Sequence, residues 1–120
     1  MVDDNAINRL IVVEMLKRLG VQVEQAEHGE EALARLDAGR FDLVLMDCLM
    51  PRMDGLAATR IWRERERSIA CPRTPIVALT ANAMAEDRAR CMEAGMDDLI
   101  AKPIQLPVLT SLLAEHLHAA

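Results

Sequence analysis

The chain has 120 residues, 52% of them hydrophobic, a size and composition that support one domain with its own core and exclude disorder. No apolar run approaches the roughly 20 residues of a membrane span, and no export signal opens the sequence, so we expect no direct membrane insertion. The net charge of −5, with one Trp, one Phe and no Tyr, argues against binding to nucleic acid.

Strand and helix patterns alternate along the whole chain. Strands are predicted from short apolar or alternating runs, and helices from apolar residues spaced near 3.6, several of them ending at a glycine. In chain order the predicted elements are strand 1–2, helix 5–19, strand 21–24, helix 30–38, strand 41–46, helix 56–67, strand 76–79, helix 82–94, strand 98–101 and helix 106–117.

The strand–helix unit therefore occurs five times, which predicts an α/β fold. Strands joined by helices require right-handed crossovers, and these produce a parallel sheet with helices on both faces. The strongly apolar runs at 43–46 and 76–79 are typical of strands buried on both faces. With no linker and no internal repeat, residues 1–120 are predicted to form a single domain.

Four of the predicted strands stop at a polar residue. Met1-Val2 is followed by Asp3 and Asp4, and the later apolar runs stop at Asp47, Thr80 and Lys102. In open α/β sheets the ligand crevice lies outside the carboxyl ends of the strands, so these side chains are expected to converge. Three carboxylates, a hydroxyl and an ammonium form a suitable site for a metal ion and a phosphoryl group.

The charges of the three carboxylates need compensation. Two unit charges about 4 Å apart repel by roughly 4 kcal/mol at an effective dielectric near 20. A hard cation removes this conflict, and Mg²⁺ typically binds one or two carboxylates together with water and phosphate oxygens. Lys102 can hold a phosphate oxygen, and the Thr80 hydroxyl can bond either a phosphoryl oxygen or its own turn. The alternative is that the acids are ordinary loop residues that cap helices.

Four sequence blocks resemble the signatures of two-component response-regulator receiver domains. They are Asp3-Asp4-Asn5, residues 45–55, Leu79-Thr80-Ala81-Asn82 and Lys102-Pro103-Ile104, and the likeness extends over the entire chain. The resemblance implies a flavodoxin-like, doubly wound, five-stranded parallel sheet of order 2-1-3-4-5 with five helices. It also implies a phosphoacceptor signalling domain rather than an enzyme.

The resemblance implies a role for each residue of the predicted site. Asp47 would accept a phosphoryl group from a histidine on a partner. Mg²⁺ would be bound directly by Asp4 and Asp47, through water by Asp3, and by the backbone carbonyl of Leu49. Lys102 and Thr80 would bind the phosphoryl oxygens, with Thr80 moving inward as the switch.

A finer likeness concerns the type of receiver. Residues 4–9, Asp47-Cys48 and residues 78–83 resemble receivers attached to hybrid sensor histidine kinases. The implied partners are a histidine kinase, a histidine phosphotransfer domain or both, with docking over the first helix near Ile7, Asn8 and Ile11. Widely spaced cysteines without a CxxC pair favour reduced thiols, so we expect a cytoplasmic domain, alone or as part of a membrane-anchored sensor kinase.

The chain departs from the family pattern at two places. The first strand, Met1-Val2, is short, which would leave its neighbours without hydrogen bonds and packing. Exchange of an element with a second copy would compensate, so a dimer is open. Leu99 stands where many relatives carry a Tyr or Phe that rotates with the threonine.

Two other functions remain alternatives. A phosphohydrolase of the haloacid dehalogenase type also uses an aspartyl nucleophile and Mg²⁺, but it wants a second Asp two residues later, where this chain has Leu49. A phosphate-independent interaction module on the same fold predicts that Asp47→Asn leaves partner binding unchanged.

Overall fold

The computed structural model describes residues 1–39, 41–48, 54–69, 73–80, 85–102 and 104–116. Five helices are found: α1 (Ala6–Arg18), α2 (Gly29–Ala38), α3 (Gly55–Ile69), α4 (Ala85–Ala94) and α5 (Leu106–His116). Three strands are found: β1 (Val44–Asp47), β2 (Ile76–Thr80) and β3 (Asp98–Ala101). None of the helices in these ranges combines the length and the apolar character that a membrane crossing requires.

The strands form a parallel sheet in the order β1-β2-β3. Val2 extends this sheet, because it is bridged in parallel to Met46 on one side and to Ala26 on the other. Numbering the extended segments along the chain, their order in space is 2-1-3-4-5. The predicted flavodoxin-like topology is confirmed, although the first two of its five strands are reduced to single bridged residues.

The prediction of a strand over residues 21–24 is wrong, because the backbone there does not pair with a neighbouring strand. Val21 and Val23 are half-buried and alternate with exposed residues as expected, but the only bridge in this stretch of the described chain lies further on, at Ala26. The pairing of Val2 with Ala26 sets Glu24 beside a position before Met1. A strand needs a hydrogen-bonded neighbour along its length, and the described bridge pairs this segment only at Ala26.

This short first segment leaves a groove in the sheet. The Val2 amide donates to the Leu45 carbonyl oxygen (2.7 Å), and the Asp47 amide donates to the Val2 carbonyl oxygen (2.9 Å). Since alternate amides of a strand face the same neighbour, the Leu45 amide faces the position before Met1. The groove has a volume of about 710 Å³ and is lined by residues from 20–26 and 41–45.

Helices cover both faces of the sheet. On one face, α1 and α5 cover Leu45, Val77 and Leu79. On the other face, α2, α3 and α4 cover Val44, Met46, Ile76, Ala78 and Leu99. Successive residues of β1 and β2 thus point into opposite cores, which is why these strands are apolar without alternation. The doubly wound arrangement leaves the carboxyl ends of the strands as the polar edge.

Helix α1 begins where the sequence predicts. The Asn5 side chain accepts hydrogen bonds from the amides of Ile7 and Asn8, so it caps the helix directly after the acidic pair. This cap fixes the point at which the chain turns from the first extended segment into α1. The predicted start of α4 at residue 82 lies outside the described residues.

Candidate functional site

The carboxyl ends of the extended segments bring three carboxylates together. Carboxylate oxygens of Asp3, Asp4 and Asp47 lie within 4.8 Å of one another. Asp3 is fully buried, Asp47 is nearly so, and Asp4 is exposed. The structure therefore joins all three acids that the strand ends predicted, and it orients them from a buried floor to an exposed rim.

Backbone hydrogen bonds hold the two buried acids in place. The Asp3 amide donates to the carbonyl oxygen of Ala26 (3.1 Å), and its carboxylate accepts from the Asn5 amide (2.9 Å). A guanidinium nitrogen of Arg9 donates to the carbonyl oxygen of Asp3 (2.8 Å). Asp47 is the last residue of β1, so the sheet itself fixes its backbone. Neither acid is a loosely held loop residue.

Lys102 contacts both buried acids. Its ammonium nitrogen lies 2.9 Å from Oδ2 of Asp47 and 3.3 Å from Oδ2 of Asp3. The backbone sets this reach, because the Lys102 amide donates to the Thr80 carbonyl oxygen (2.7 Å) just beyond β3. Burial alone lowers the pKa of Lys102, but the hydrogen bond to Asp47 and the charges of Asp47 and Asp3 outweigh it and raise the pKa. The ammonium is therefore fully charged at neutral pH.

The donor set fits a hard divalent cation. Oδ2 of Asp3 is buried, and no hydrogen-bond donor within the described chain satisfies it. Its described side-chain contact is the 3.3 Å ion pair with Lys102. Three carboxylates beside one ammonium leave an excess of negative charge, and oxygen ligands of this kind suit Mg²⁺. Asp3, Asp4 and Asp47 are the described residues able to hold it.

Of the two other predicted site residues, Thr80 lies where the sequence predicts and Leu49 falls outside the described residues. Thr80 is the last residue of β2, and the register that sets Asp47 beside Leu79 brings it to the same edge of the sheet. The carbonyl of Leu49 lies outside the described residues. Leu99 is buried in the core with Met46 and Ala78, so this side chain packs under the sheet and away from the polar edge.

Gly55 is a residue of the site that sequence reasoning missed. The predicted helix starts at residue 56, but α3 begins at Gly55, and the Gly55 amide donates to the Cys48 carbonyl oxygen (3.1 Å). A Cβ at this position would lie 2.2 Å from the carbonyl oxygen of Asp47. Only glycine lets α3 approach the end of β1 so closely. The Asp-Gly pair a few residues after Asp47 was the available signal.

Comparison with known proteins now identifies the family. Residues 1–114 match the family described as the Response regulator receiver domain. The chain belongs to this family, and the resemblance recognised in its sequence is confirmed. Receiver domains are phosphoacceptor modules of two-component signalling.

Individual relatives indicate which type of receiver domain this chain resembles. The chain is 39% identical over 118 residues to Hybrid signal transduction histidine kinase L of Dictyostelium discoideum, covering 96% of this chain and 7% of that protein. The receiver domain of sensor histidine kinase PA1611 from Pseudomonas aeruginosa, solved with magnesium in its active-site cleft, is 39% identical with a TM-score of 0.87. That match covers 98% of this chain and 94% of the other.

A third relative was solved with a partner. It is the receiver domain of Ssk1 from Saccharomyces cerevisiae, in complex with the histidine phosphotransfer protein Ypd1. It has a TM-score of 0.93 at 28% identity, covering 96% of this chain and 84% of that chain. Receivers of hybrid sensor kinases and of phosphorelays are thus the proteins that this chain is similar to.

Proposed function

We propose that residues 1–120 form one receiver domain in which Asp47 accepts a phosphoryl group from a phosphohistidine of a partner protein. The observation that carries this proposal is the pairing of a buried Asp47 with Lys102 at 2.9 Å, beside two further carboxylates. This contact fixes the direction in which the Asp47 carboxylate faces an incoming phosphorus atom, and it places the Lys102 ammonium beside the phosphoryl oxygens. Positioning and charge neutralisation are the main requirements of phosphoryl transfer.

In the proposed reaction a carboxylate oxygen of Asp47 forms a bond to phosphorus while the bond from phosphorus to the imidazole nitrogen breaks. The imidazole leaves with its electron pair and takes a proton. Asp3, Asp4, Asp47 and the carbonyl of Leu49 would hold Mg²⁺, which supplies charge neutralisation when it is bound. The buried Oδ2 of Asp3, whose described side-chain contact is the ion pair with Lys102, supports this assignment.

Lys102 and Thr80 would hold the product. The Lys102 ammonium, already at the mouth of the site, binds a phosphoryl oxygen and balances the added charge. The Thr80 hydroxyl donates to a second phosphoryl oxygen from the end of β2, and this contact is the proposed switch. Because Leu99 is buried under the sheet, we infer that this side chain takes no part in the switch.

The outer face of α1 carries exposed apolar residues that suit a docking surface for a protein partner. Val12, Val13 and Leu16 bury one face of α1, yet Ile7, Leu10 and Ile11 remain 69%, 61% and 49% exposed on the other. Such a contiguous apolar patch on a soluble domain usually marks a protein interface. The patch starts within three residues of Asp4, so a protein docked here reaches the site. We propose a histidine phosphotransfer domain or histidine kinase as this partner, which the Ssk1–Ypd1 complex supports.

The remaining proposals concern the setting of the domain. We propose that it acts as a regulatory acceptor in the cytoplasm, alone or within a sensor kinase, without nucleic acid and without catalysing turnover of phosphate esters. The absence of an acid at position 49 argues against the phosphohydrolase alternative. The groove beside Met1 is compatible with exchange of an extended segment between two copies.

Intact-mass measurement after incubation with acetyl phosphate and Mg²⁺ tests the assignment. We expect one added phosphoryl group in the parent chain and in Asp42→Asn, an exposed acid away from the site. Asp47→Asn should take up none, and Lys102→Met should take up much less. Phosphate on any residue other than Asp47 would overturn the proposal.

Transfer from a phosphorylated histidine phosphotransfer domain tests the partner surface separately. Leu10→Gln should slow this transfer while leaving the uptake from acetyl phosphate intact, because acetyl phosphate needs no docking surface. Arg18→Gln, at the far end of α1, is the control. Equal transfer rates for Leu10→Gln and the parent chain would argue against docking on α1.

A further inference from the structure

Two cysteines that are distant in the sequence meet beside the end of β1. The sulfur of Cys48 lies 3.4 Å from the sulfur of Cys91, although 43 positions separate them in the chain. Cys48 follows Asp47 at the end of β1, and Cys91 lies in α4. Both are buried, with 8% and 2% of their surface exposed. The wide spacing in the sequence favours reduced thiols, and the fold brings two of them into contact.

We propose that Cys48 and Cys91 form a redox modification site, which hydrogen peroxide converts to an intramolecular disulfide linking β1 to α4. A disulfide requires a sulfur–sulfur distance of about 2.05 Å, so the sulfurs must approach by somewhat more than 1 Å from the contact that is already present. The two sulfurs are already in contact across the core, so the separation that remains to be closed is short.

Because both thiols are buried, only a small oxidant such as hydrogen peroxide is expected to reach them. Cys48, the more accessible of the two, is expected to react first: its sulfur attacks one peroxide oxygen, the oxygen–oxygen bond breaks, and a sulfenic acid and water form. The sulfur of Cys91 then attacks the sulfenic sulfur, whose bond to oxygen breaks and releases a second water. In sum, two thiols lose two hydrogens and two electrons, and one peroxide is reduced to two waters.

The modification is expected to act on phosphoryl uptake, a consequence that rests on the proposed function. The Cys48 amide donates to the carbonyl oxygen of Leu79 (3.0 Å), and its own carbonyl oxygen accepts from the Gly55 amide. Gly55 is in turn packed against the Asp47 carbonyl with no room to spare. A pull on Cys48 is therefore transmitted to its neighbour, the acceptor. Displacing a reacting group by about 1 Å can cost on the order of 100-fold in rate, so we expect at least about a tenfold slower uptake.

Mass spectrometry of the peroxide-treated chain tests the site itself. We expect a loss of about 2 Da, a peptide pair joined through positions 48 and 91, and full reversal by a dithiol reductant. Cys71→Ser should lose the same mass, whereas Cys91→Ala should not. Oxidation without a 48–91 link, or a link that involves Cys71, would overturn the inference. The peptide map of the parent chain decides this point even if a variant folds poorly.

The rate of uptake from acetyl phosphate tests the consequence. Reduced parent chain, oxidised parent chain and peroxide-treated Cys91→Ala are compared, and only the oxidised parent chain should be slow. If the disulfide forms but the rate is unchanged, the coupling to Asp47 is wrong. If the reduced chain takes up no phosphate, the proposed function fails, and the disulfide result stands independently.

Discussion

Replacing Lys102 by methionine should make the stability of this domain depend strongly on Mg²⁺. In metal-free buffer the ammonium of Lys102 lies against the carboxylates of Asp3 and Asp47, both of them buried. Methionine keeps most of the aliphatic length of the side chain and removes the charge. The two acids are then left facing each other in the floor of the site, where water is largely excluded.

The size of the effect follows from burial. Removing one partner of a buried ion pair costs about 3–5 kcal/mol, because the remaining charge stays desolvated. The Lys102 side chain is 23% exposed, so part of its attraction is already screened, and we expect a loss of about 2–3 kcal/mol. For a domain of this size that corresponds to a fall in Tm of roughly 6–15 °C.

Thermal unfolding in chelator and in saturating Mg²⁺ measures this dependence. The divalent ion restores positive charge at the carboxylates, so the difference between Lys102→Met and the parent chain should shrink to below about 1 kcal/mol. Lys17→Met, which removes an exposed lysine of α1, is the matched control and should change little in either buffer. An equal loss of stability for Lys102→Met with and without Mg²⁺ would refute the electrostatic reasoning.

The pH dependence gives a second check on Lys102. Its pKa in the folded state is raised above 10.5, so the stability that it contributes is fully present below that value. The contribution is lost only as the pH rises through the raised pKa. The difference in stability between Lys102→Met and the parent chain should therefore stay constant from pH 6 to 9, in urea unfolding at fixed ionic strength.

Three further predictions concern other residues. Gly55→Ala should destabilise the fold by about 1–3 kcal/mol in urea unfolding and impair phosphoryl uptake, whereas Gly39→Ala, with open space around it, should do neither. Arg63→Met should lower the free energy of unfolding in urea by about 3–5 kcal/mol, because Arg63 donates to the carboxylates of Glu66 and Asp97 and to the carbonyl oxygens of Thr74 and Gly95. Arg65→Met removes an exposed ion pair and should lower it by less than about 1 kcal/mol. Burial lowers the pKa of the Met1 amino group from 8.0 to about 6, so the unfolded chain binds more protons than the folded chain between these pH values. The free energy of unfolding should therefore rise with pH across that window. N-terminal acetylation should remove this rise in chemical-denaturation curves.

Local patterns in the sequence determined most of the site. Apolar runs that stop at Asp47, Thr80 and Lys102 are visible without coordinates, because buried parallel strands exclude polar groups until they reach the edge of the sheet. The fold class followed from the same alternation of strand and helix. The Asn5 cap and Gly20, which has a φ of +79° after α1, are also local signals, since each acts on the backbone next to it.

Only the tertiary structure decided which distant groups meet. The strand predicted at 21–24 did not form, because the bridge between Val2 and Ala26 reaches this stretch of the described chain only beyond residue 24. The contact of Cys48 with Cys91 and the network around Arg63 join segments that no short pattern relates. Sequence periodicity reports which face of an element is buried, whereas a distance between two side chains depends on the packing of the elements that carry them.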